Sequence, residues 1–525
     1  MKVSPARLQG VAWLVAALVL VAALGLALSR SRRSLLRAVL SPGEPRLPAP
    51  RARPVSARPL AKVRVLLLDG LGRAQADKLP ALRALCAAGV SLDIDVGFPT
   101  VSLPVQHALW TGLWQAQSGL LFVTRRVQAR APTIPAALAA AASRAAASDA
   151  GPAAKAIAIA ESHCEIAGSF GFVDLQCPPR GEPPIAPRVM LRDSLAAVGS
   201  SAALVFVHLL AIDAVGHRVG SSSPAYARQA ERGDALVAAL SKARGAGETL
   251  LVLSDHGHLP GGGHGGDEPS IRHVRCCAAG PGLSAGARGR GNMVDVNRLI
   301  SDQLGLAPLA RSQGRPLAKV LSDATPPAPP AVGPPLWARA GAFAALLVLV
   351  ALVVLAWRRG GGVVGALLAL PWGVAAILIA YAVRRGGLPS LSHSEVYPTF
   401  HAGLRPMLYV VLVALLLQLW LLARHVGHLL AGALVAASLA AGAAVLLGAS
   451  GWPLFRPPVE ATITACASVV CELGAPLLGL LVPALIVANV FARRVPIAPS
   501  KAPSAAHPRG GSGAGTDAPA APSDA

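Results

Sequence analysis

Hydrophobic positions along the chain fall into two patterns. Long uncharged runs stand near both ends, and short apolar runs alternate with Ala-rich stretches between them. Residues 10–29 (GVAWLVAALVLVAALGLALS) carry no charge and are long enough to cross a bilayer core of roughly 30 Å. Runs at 338–356, 362–382, 406–423, 428–449 and 472–492 bring the candidate spans to six. The first run is longer than the apolar core of a signal peptide, and no A-x-A site precedes the basic cluster behind it. It is expected to stay as an N-terminal transmembrane anchor (1–29). The later runs predict a C-terminal bundle of about five transmembrane helices over 337–494.

The middle of the chain, 62–322, is the stretch able to build a soluble core. There VRVLLLD (63–69), AIAIAE (156–161), ALVFVHLL (203–210) and TLLVLSD (249–255) read as buried strands separated by helical segments. Such alternation predicts an α/β fold, a mostly parallel sheet sandwiched by helices. Active sites in these sheets lie beyond the carboxyl ends of the strands. Pro-rich linkers at 30–61 and 323–336 flank the domain, and the tail 495–525 has no apolar period and is expected to be disordered.

Composition fits a membrane protein, with 53% hydrophobic and 14% charged residues. The net charge of +22 does not point to nucleic acid, because the arginines are scattered or sit beside spans and aromatics are only 4%. Charges flanking the spans are mixed and do not set an orientation. Of seven cysteines, Cys164 and Cys177 could pair in an oxidising compartment, while Cys276 and Cys277 read as buried free thiols.

Candidate chemistry collects at the strand ends. Asp69 follows VRVLLL and precedes a glycine. Asp213 and His217 stand four apart, so one helical turn could bring both to one ion. Asp255 and His256 end TLLVLS, and His264 sits in GGGHGG, a loop free to place an imidazole. This donor set suits Zn²⁺, with Mn²⁺ as the alternative. In GFPTVSLPVQHALWTGL (97–113), Pro104 fits the first turn of a helix, which sets Ser102 at the N-terminus among N–H groups that favour an anion. Taken alone, Ser102 reads equally well as an N-cap.

Together, PTVSLP (99–104), HLLAIDAVGH (208–217) and SDHGHLPGGGHGG (254–266) resemble the alkaline phosphatase superfamily, in its phosphodiesterase and nucleotide pyrophosphatase branch. In these motifs the chain is most similar to the glycosylphosphatidylinositol ethanolamine phosphate transferases. SSSPAYARQAERGDALV (221–237) and MVDVNRLISDQLGLAP (293–308) resemble helices of the same domain. The resemblance implies two divalent metal ions. Asp69, Ser102, Asp255 and His256 would hold one, and Asp213, His217 and His264 the other. It also implies Ser102 as nucleophile, with Thr100 as the alternative, forming a phospho-Ser intermediate. Val105 stands where the phosphodiesterases carry Asn, so Gln106 or His107 is expected to contact the substrate phosphate instead.

The implied activity is cleavage or transfer of a phosphodiester-linked group, with a phospholipid head group such as phosphoethanolamine as a candidate substrate. The implied place is a membrane surface, with the catalytic domain extracytoplasmic (periplasmic or lumenal). The opposing expectation is a membrane scaffold or sensor whose domain has lost catalysis. A sulfatase is disfavoured, since no C-x-P-x-R segment surrounds the nucleophile position.

Overall fold

The VRVLLL run leaves water no access to either face, and strand β1 (Val63–Leu68) is buried along its whole length. It stands near the middle of an eight-stranded sheet in a computed structural model of the chain. The structure describes residues 61–327 apart from 121–125, 147–154, 173, 180 and 267, together with 42, 45–51 and isolated positions between 351 and 421.

The other strands are β2 (Val90–Asp95), β3 (Ala156–Ala160), β4 (Asp174–Gln176), β5 (Leu204–Leu209), β6 (Thr249–Leu253), β7 (His273–Ala279) and β8 (Ala287–Asn292). They run in the order β4-β3-β5-β1-β6-β7-β2-β8. From β4 to β6 every pairing is parallel, β7 pairs antiparallel with both neighbours, and β8 is parallel to β2. The expected mostly parallel sheet is present, with one reversed strand.

Helices cover both faces. They are α1 (Pro80–Ala88), α2 (Ser102–Thr111), α3 (Ile134–Ala146), α4 (Pro187–Val198), α5 (Ala211–Val219), α6 (Pro224–Ala243) and α7 (Met293–Leu304), with shorter turns between them. Period-two alternation along β1 sends Val63, Val65 and Leu67 to a core shared with Trp110 of α2 and Ile300 of α7. Leu66 and Leu68 go to a second core with Leu82 of α1, Ile212 of α5 and Tyr226 of α6. Arg64 is the exception in β1. Its guanidinium is 1% exposed and meets Glu248 at 3.0 Å.

Two disulfides cross the domain, Cys86–Cys277 and Cys164–Cys177. The second is the pairing considered from sequence. The first corrects the expectation for Cys277, which β7 presents to α1, while Cys276 on the opposite face remains a buried free cysteine.

The expected anchor, bundle and tail lie outside the described residues save for those isolated positions. Among the described residues, no helix is long and apolar enough to cross a membrane.

Candidate active site

Three neighbouring parallel strands bring the chemistry together. Leu67 of β1 is in register with His208 of β5 and with Leu253 of β6, so the chain leaves all three strands at one level. Asp69 follows β1 directly, Asp255 and His256 follow β6, and α5 begins two residues after β5, carrying Asp213 and His217 on successive turns. Glu161, at the end of β3, accepts hydrogen bonds from the N–H groups of Leu210 and Ala211 at 2.7 and 2.8 Å. Its carboxylate therefore caps the start of α5 and fixes the helix that bears the pair.

His264 arrives on a loop where Gly262, Gly263 and Gly265 have φ of +102°, +92° and +106°, a backbone that side chains disfavour. Thr100 braces that loop. Gly265 N–H donates to Thr100 Oγ1 at 2.9 Å, and that hydroxyl donates to the Gly266 carbonyl, also at 2.9 Å. His264 Nδ1 donates to the Thr100 carbonyl at 2.7 Å, which leaves Nε2 with its lone pair facing the cluster.

Ser102 is the first residue of α2, with Val101 as the N-cap. Its Oγ lies 3.2 Å from His256 Nε2 and 3.4 Å from Asp69 Oδ1. It is half-buried, whereas Asp69, Asp255 and His256 are fully buried. The hydroxyl is thus the accessible group of the first set.

Donor atoms converge in the two sets that the resemblance names. Those of Asp69, Asp255 and His256 lie within 4.8 Å of one another, and so do those of Asp213, His217 and His264. Asp213, His256 and His258 form a third set at the same spacing, sharing one residue with each of the others. His217 Nε2 and His264 Nε2 are only 3.0 Å apart, and the rings of His256 and His264 stack with centroids 3.7 Å apart. The structure brings together all seven residues that the resemblance names as metal-binding. Gln106 and His107 are placed differently. Gln106 is buried beneath the cluster, 3.3 Å from His208 Nε2, and His107 packs between Thr111 and Phe170. Both side chains are buried.

Electrostatics fit a cation in both sets. Burial, then the charges of Asp255 and Asp213, pushes Asp69 well above the usual carboxylate range. Burial also raises Asp255. Burial opposes ionisation of Asp213, but hydrogen bonds to His217 and His258 hold it well below that range. Burial brings His256 down to about 3 and His264 well below its ordinary value, so these imidazoles are neutral and can ligate. Asp255 Oδ2 is buried with no hydrogen-bond partner. Among the described residues, the ion pairs of Asp69, Asp213 and Asp255 are with histidines alone. A cluster of buried carboxylates and neutral imidazoles without lysine or arginine suits divalent ions.

Sequence reasoning missed two histidines. His208 Nε2 lies 2.6 Å from Asp69 Oδ2, and His258 Nε2 lies 2.9 Å from Asp213 Oδ1. Both stand inside the motifs quoted above, but their roles depend on which distant carboxylate they meet.

The family model described as type I phosphodiesterase / nucleotide pyrophosphatase matches residues 184–265. Over those residues the chain is similar to the phosphodiesterases and nucleotide pyrophosphatases. The matched segment holds Asp213, His217, Asp255, His256 and His264. Asp69 and Ser102 precede it and join the site through β1 and α2.

Solved structures similar to the domain include murine ectonucleotide pyrophosphatase / phosphodiesterase 5, at 16% identity over 50% of this chain and 100% of that one, TM-score 0.39. A 2-O GAG sulfatase is 15% identical over 50% of this chain and 74% of that one, TM-score 0.38. An alkaline phosphatase superfamily protein from Vibrio parahaemolyticus is 13% identical over 56% of this chain and 79% of that one, TM-score 0.37. No curated protein matches the chain.

Proposed function

We propose that the chain is a membrane-anchored phosphoryl-transfer enzyme that cleaves or transfers a phosphodiester-linked group through a phospho-Ser102 intermediate. The observation that carries this reading is Ser102 Oγ. It is the accessible group of the first set, sits at the first turn of α2, and lies within 3.4 Å of Asp69 Oδ1 and 3.2 Å of His256 Nε2. Thr100 is a poor nucleophile by comparison. It is fully buried, and its hydroxyl is engaged by the Gly265–Gly266 backbone.

Asp69, Asp255 and His256 with Ser102 would hold one divalent ion, and Asp213, His217 and His264 the other. Two ions held there supply positive charge that lowers the nucleophile's pKa and stabilises a leaving oxygen. The nitrogen and carboxylate donors favour zinc, with manganese as the alternative. Ser102 gives its proton to solvent water, its Oγ bonds to phosphorus as the ester P–O bond breaks, and the departing oxygen takes a proton from solvent water. The N–H groups of the first turn of α2 would face the phosphoryl oxygens. Water or an acceptor alcohol then attacks the phosphoserine and restores the hydroxyl. Water gives a hydrolase and an alcohol a transferase, phosphoethanolamine being the transferred group that the motif resemblance suggests.

Membrane anchoring rests on the six apolar runs in the sequence. An extracytoplasmic site is supported by the two disulfides, which persist in oxidising compartments.

The test is turnover of an aryl phosphodiester and an aryl phosphomonoester by the purified full chain, with metal analysis, for wild type and Ser102→Ala. Metal-dependent diester cleavage lost in the variant is the expected result. A folded chain with no metal and no turnover would sink the catalytic reading and leave the scaffold. Labelled phosphatidylethanolamine then separates the acceptors, since free phosphoethanolamine marks hydrolysis and a new ester marks transfer.

A further inference from the structure

His258 stands outside the two sets that the resemblance names, although its donor atom lies within 4.8 Å of those of Asp213 and His256, and it is 1% exposed. Its ring stands 5.1, 5.8 and 5.2 Å from those of His217, His256 and His264, and its Nε2 is 2.9 Å from Asp213 Oδ1.

Glycine makes the room for it. A Cβ on Gly216 would stand 2.3 Å from His258 Cδ2, and one on Gly70 would stand 2.9 Å from His258 Nε2. Gly216 lies inside α5, between Asp213 and His217, where glycine costs a helix about 1 kcal/mol relative to alanine. Helix propensity is given up where an imidazole needs the space.

An imidazole nitrogen beside a carboxylate oxygen is either a fellow ligand or a donor. Asp213, His217 and His264 already supply three protein ligands, the number that leaves a catalytic ion an open position. A fourth from His258 would close the site to a substrate oxygen. As a donor, the same nitrogen would fix the plane of the Asp213 carboxylate while Oδ2 stays 3.4 Å from His217 Nε2.

We infer that His258 is a positioning residue that donates Nε2–H to Asp213 Oδ1 and holds that carboxylate in register with His217 and His264. This rests on the two-ion reading above. Partners of this kind raise metal affinity without touching the metal, and their loss costs about 10–100-fold.

The test uses zinc alone, titrated calorimetrically into the metal-stripped full chain, with bound metal counted by emission spectrometry. Wild type is expected to take up two equivalents. His258→Gln, whose amide nitrogen reaches the Nε2 position, should keep both, with affinities within about threefold, because it retains the donor. His258→Ala should keep the first and bind the second about 10–100-fold more weakly. His258→Asn, whose amide reaches only the Nδ1 position, should follow the alanine variant. Gly216→Ala, which displaces the ring and removes no ligand, should weaken the second equivalent alike. Unfolding of each metal-free variant establishes that it is folded.

Full second-site affinity in His258→Ala would overturn the inference and leave the two-ion reading standing. So would His258→Gln losing the second equivalent as fully as alanine, since that marks a ligand. A folded wild-type chain that binds fewer than two equivalents overturns the two-ion reading itself, and this inference with it.

Discussion

His208 Nε2 lies 2.6 Å from Asp69 Oδ2, and neither side chain has any contact with water. Burial lowers the pKa of His208 to about 4 and pushes Asp69 well above the usual carboxylate range, so in the metal-free protein a neutral imidazole meets a carboxyl group whose charge is disfavoured. Such a hydrogen bond contributes about 0.5–1.5 kcal/mol, and a buried polar group left without its partner costs about 1–3 kcal/mol. His208→Ala is therefore expected to destabilise the folded domain by about 3 kcal/mol or more, with a cavity adding to the loss. His208→Gln, which keeps a donor at the same reach, should recover at least half of that. Urea unfolding of the metal-free protein checks both, and equal losses in the two variants would mean that packing, not the donor, matters.

Thr100 and Ser102 are two residues apart and bind different things, so their variants should separate cleanly. Ser102→Ala removes the nucleophile and is expected to lower turnover by about a thousandfold or more. Thr100→Val keeps the size but frees the Gly265–Gly266 turn and the His264 that it carries. It should lower turnover by about 10–100-fold through weaker metal binding, the range seen when a ligand's support is lost. A phosphoenzyme trapped at low pH should map to Ser102 in the Thr100 variant. A label on residue 100 of the wild type would reverse the assignment.

The fold was readable where burial is complete. VRVLLL, AIAIA, LVFVHL and TLLVL are short, mainly apolar runs, and each is a strand buried along its whole length. β8, the edge strand ARGRGN, was not, because its alternate positions face solvent and carry arginine. The site divides in the same way. Asp69, Asp213, His217, Asp255, His256 and His264 stand out as ligand-type residues beside glycine at strand ends and in turns. His208, His258 and Glu161 act across the sheet, on carboxylates or N–H groups 139, 45 and about 50 residues away. No local pattern carries that information, nor does it show that α2 buries Gln106 and His107.

The pairing of Cys86 with Cys277 closes a span of 191 residues. A cross-link over so long a loop removes much unfolded-chain entropy, about 2–5 kcal/mol of stability in natural domains. Cys86→Ser with Cys277→Ser should lower stability by that order. Peptide mapping of protein alkylated without reduction should recover 86 linked to 277 and 164 linked to 177, with 276 alkylated. Free thiols at all five positions in protein isolated from its native source would argue against an oxidising compartment.

Glu248 sets a pH dependence away from the site. Burial alone would raise its carboxyl, but Arg64 at 3.0 Å, with Lys62 at 3.4 Å, holds it below the ordinary value of 4.5. A carboxylate with a depressed folded pKa adds stability above its unfolded value, and that stability is lost as the pH falls through the folded value. Arg64 is 1% exposed and has few other partners, so Glu248→Gln leaves its charge buried with only the Ala202 and Ser200 carbonyls. The substitution is expected to cost about 2–4 kcal/mol at pH 7, the scale of breaking a largely buried pair. Below the ordinary carboxylate range the two proteins should converge, because the wild-type side chain is then protonated too. Urea unfolding at pH 7 and at successively lower pH measures the gap, and a gap that does not narrow on acidification would show that the loss comes from packing rather than charge.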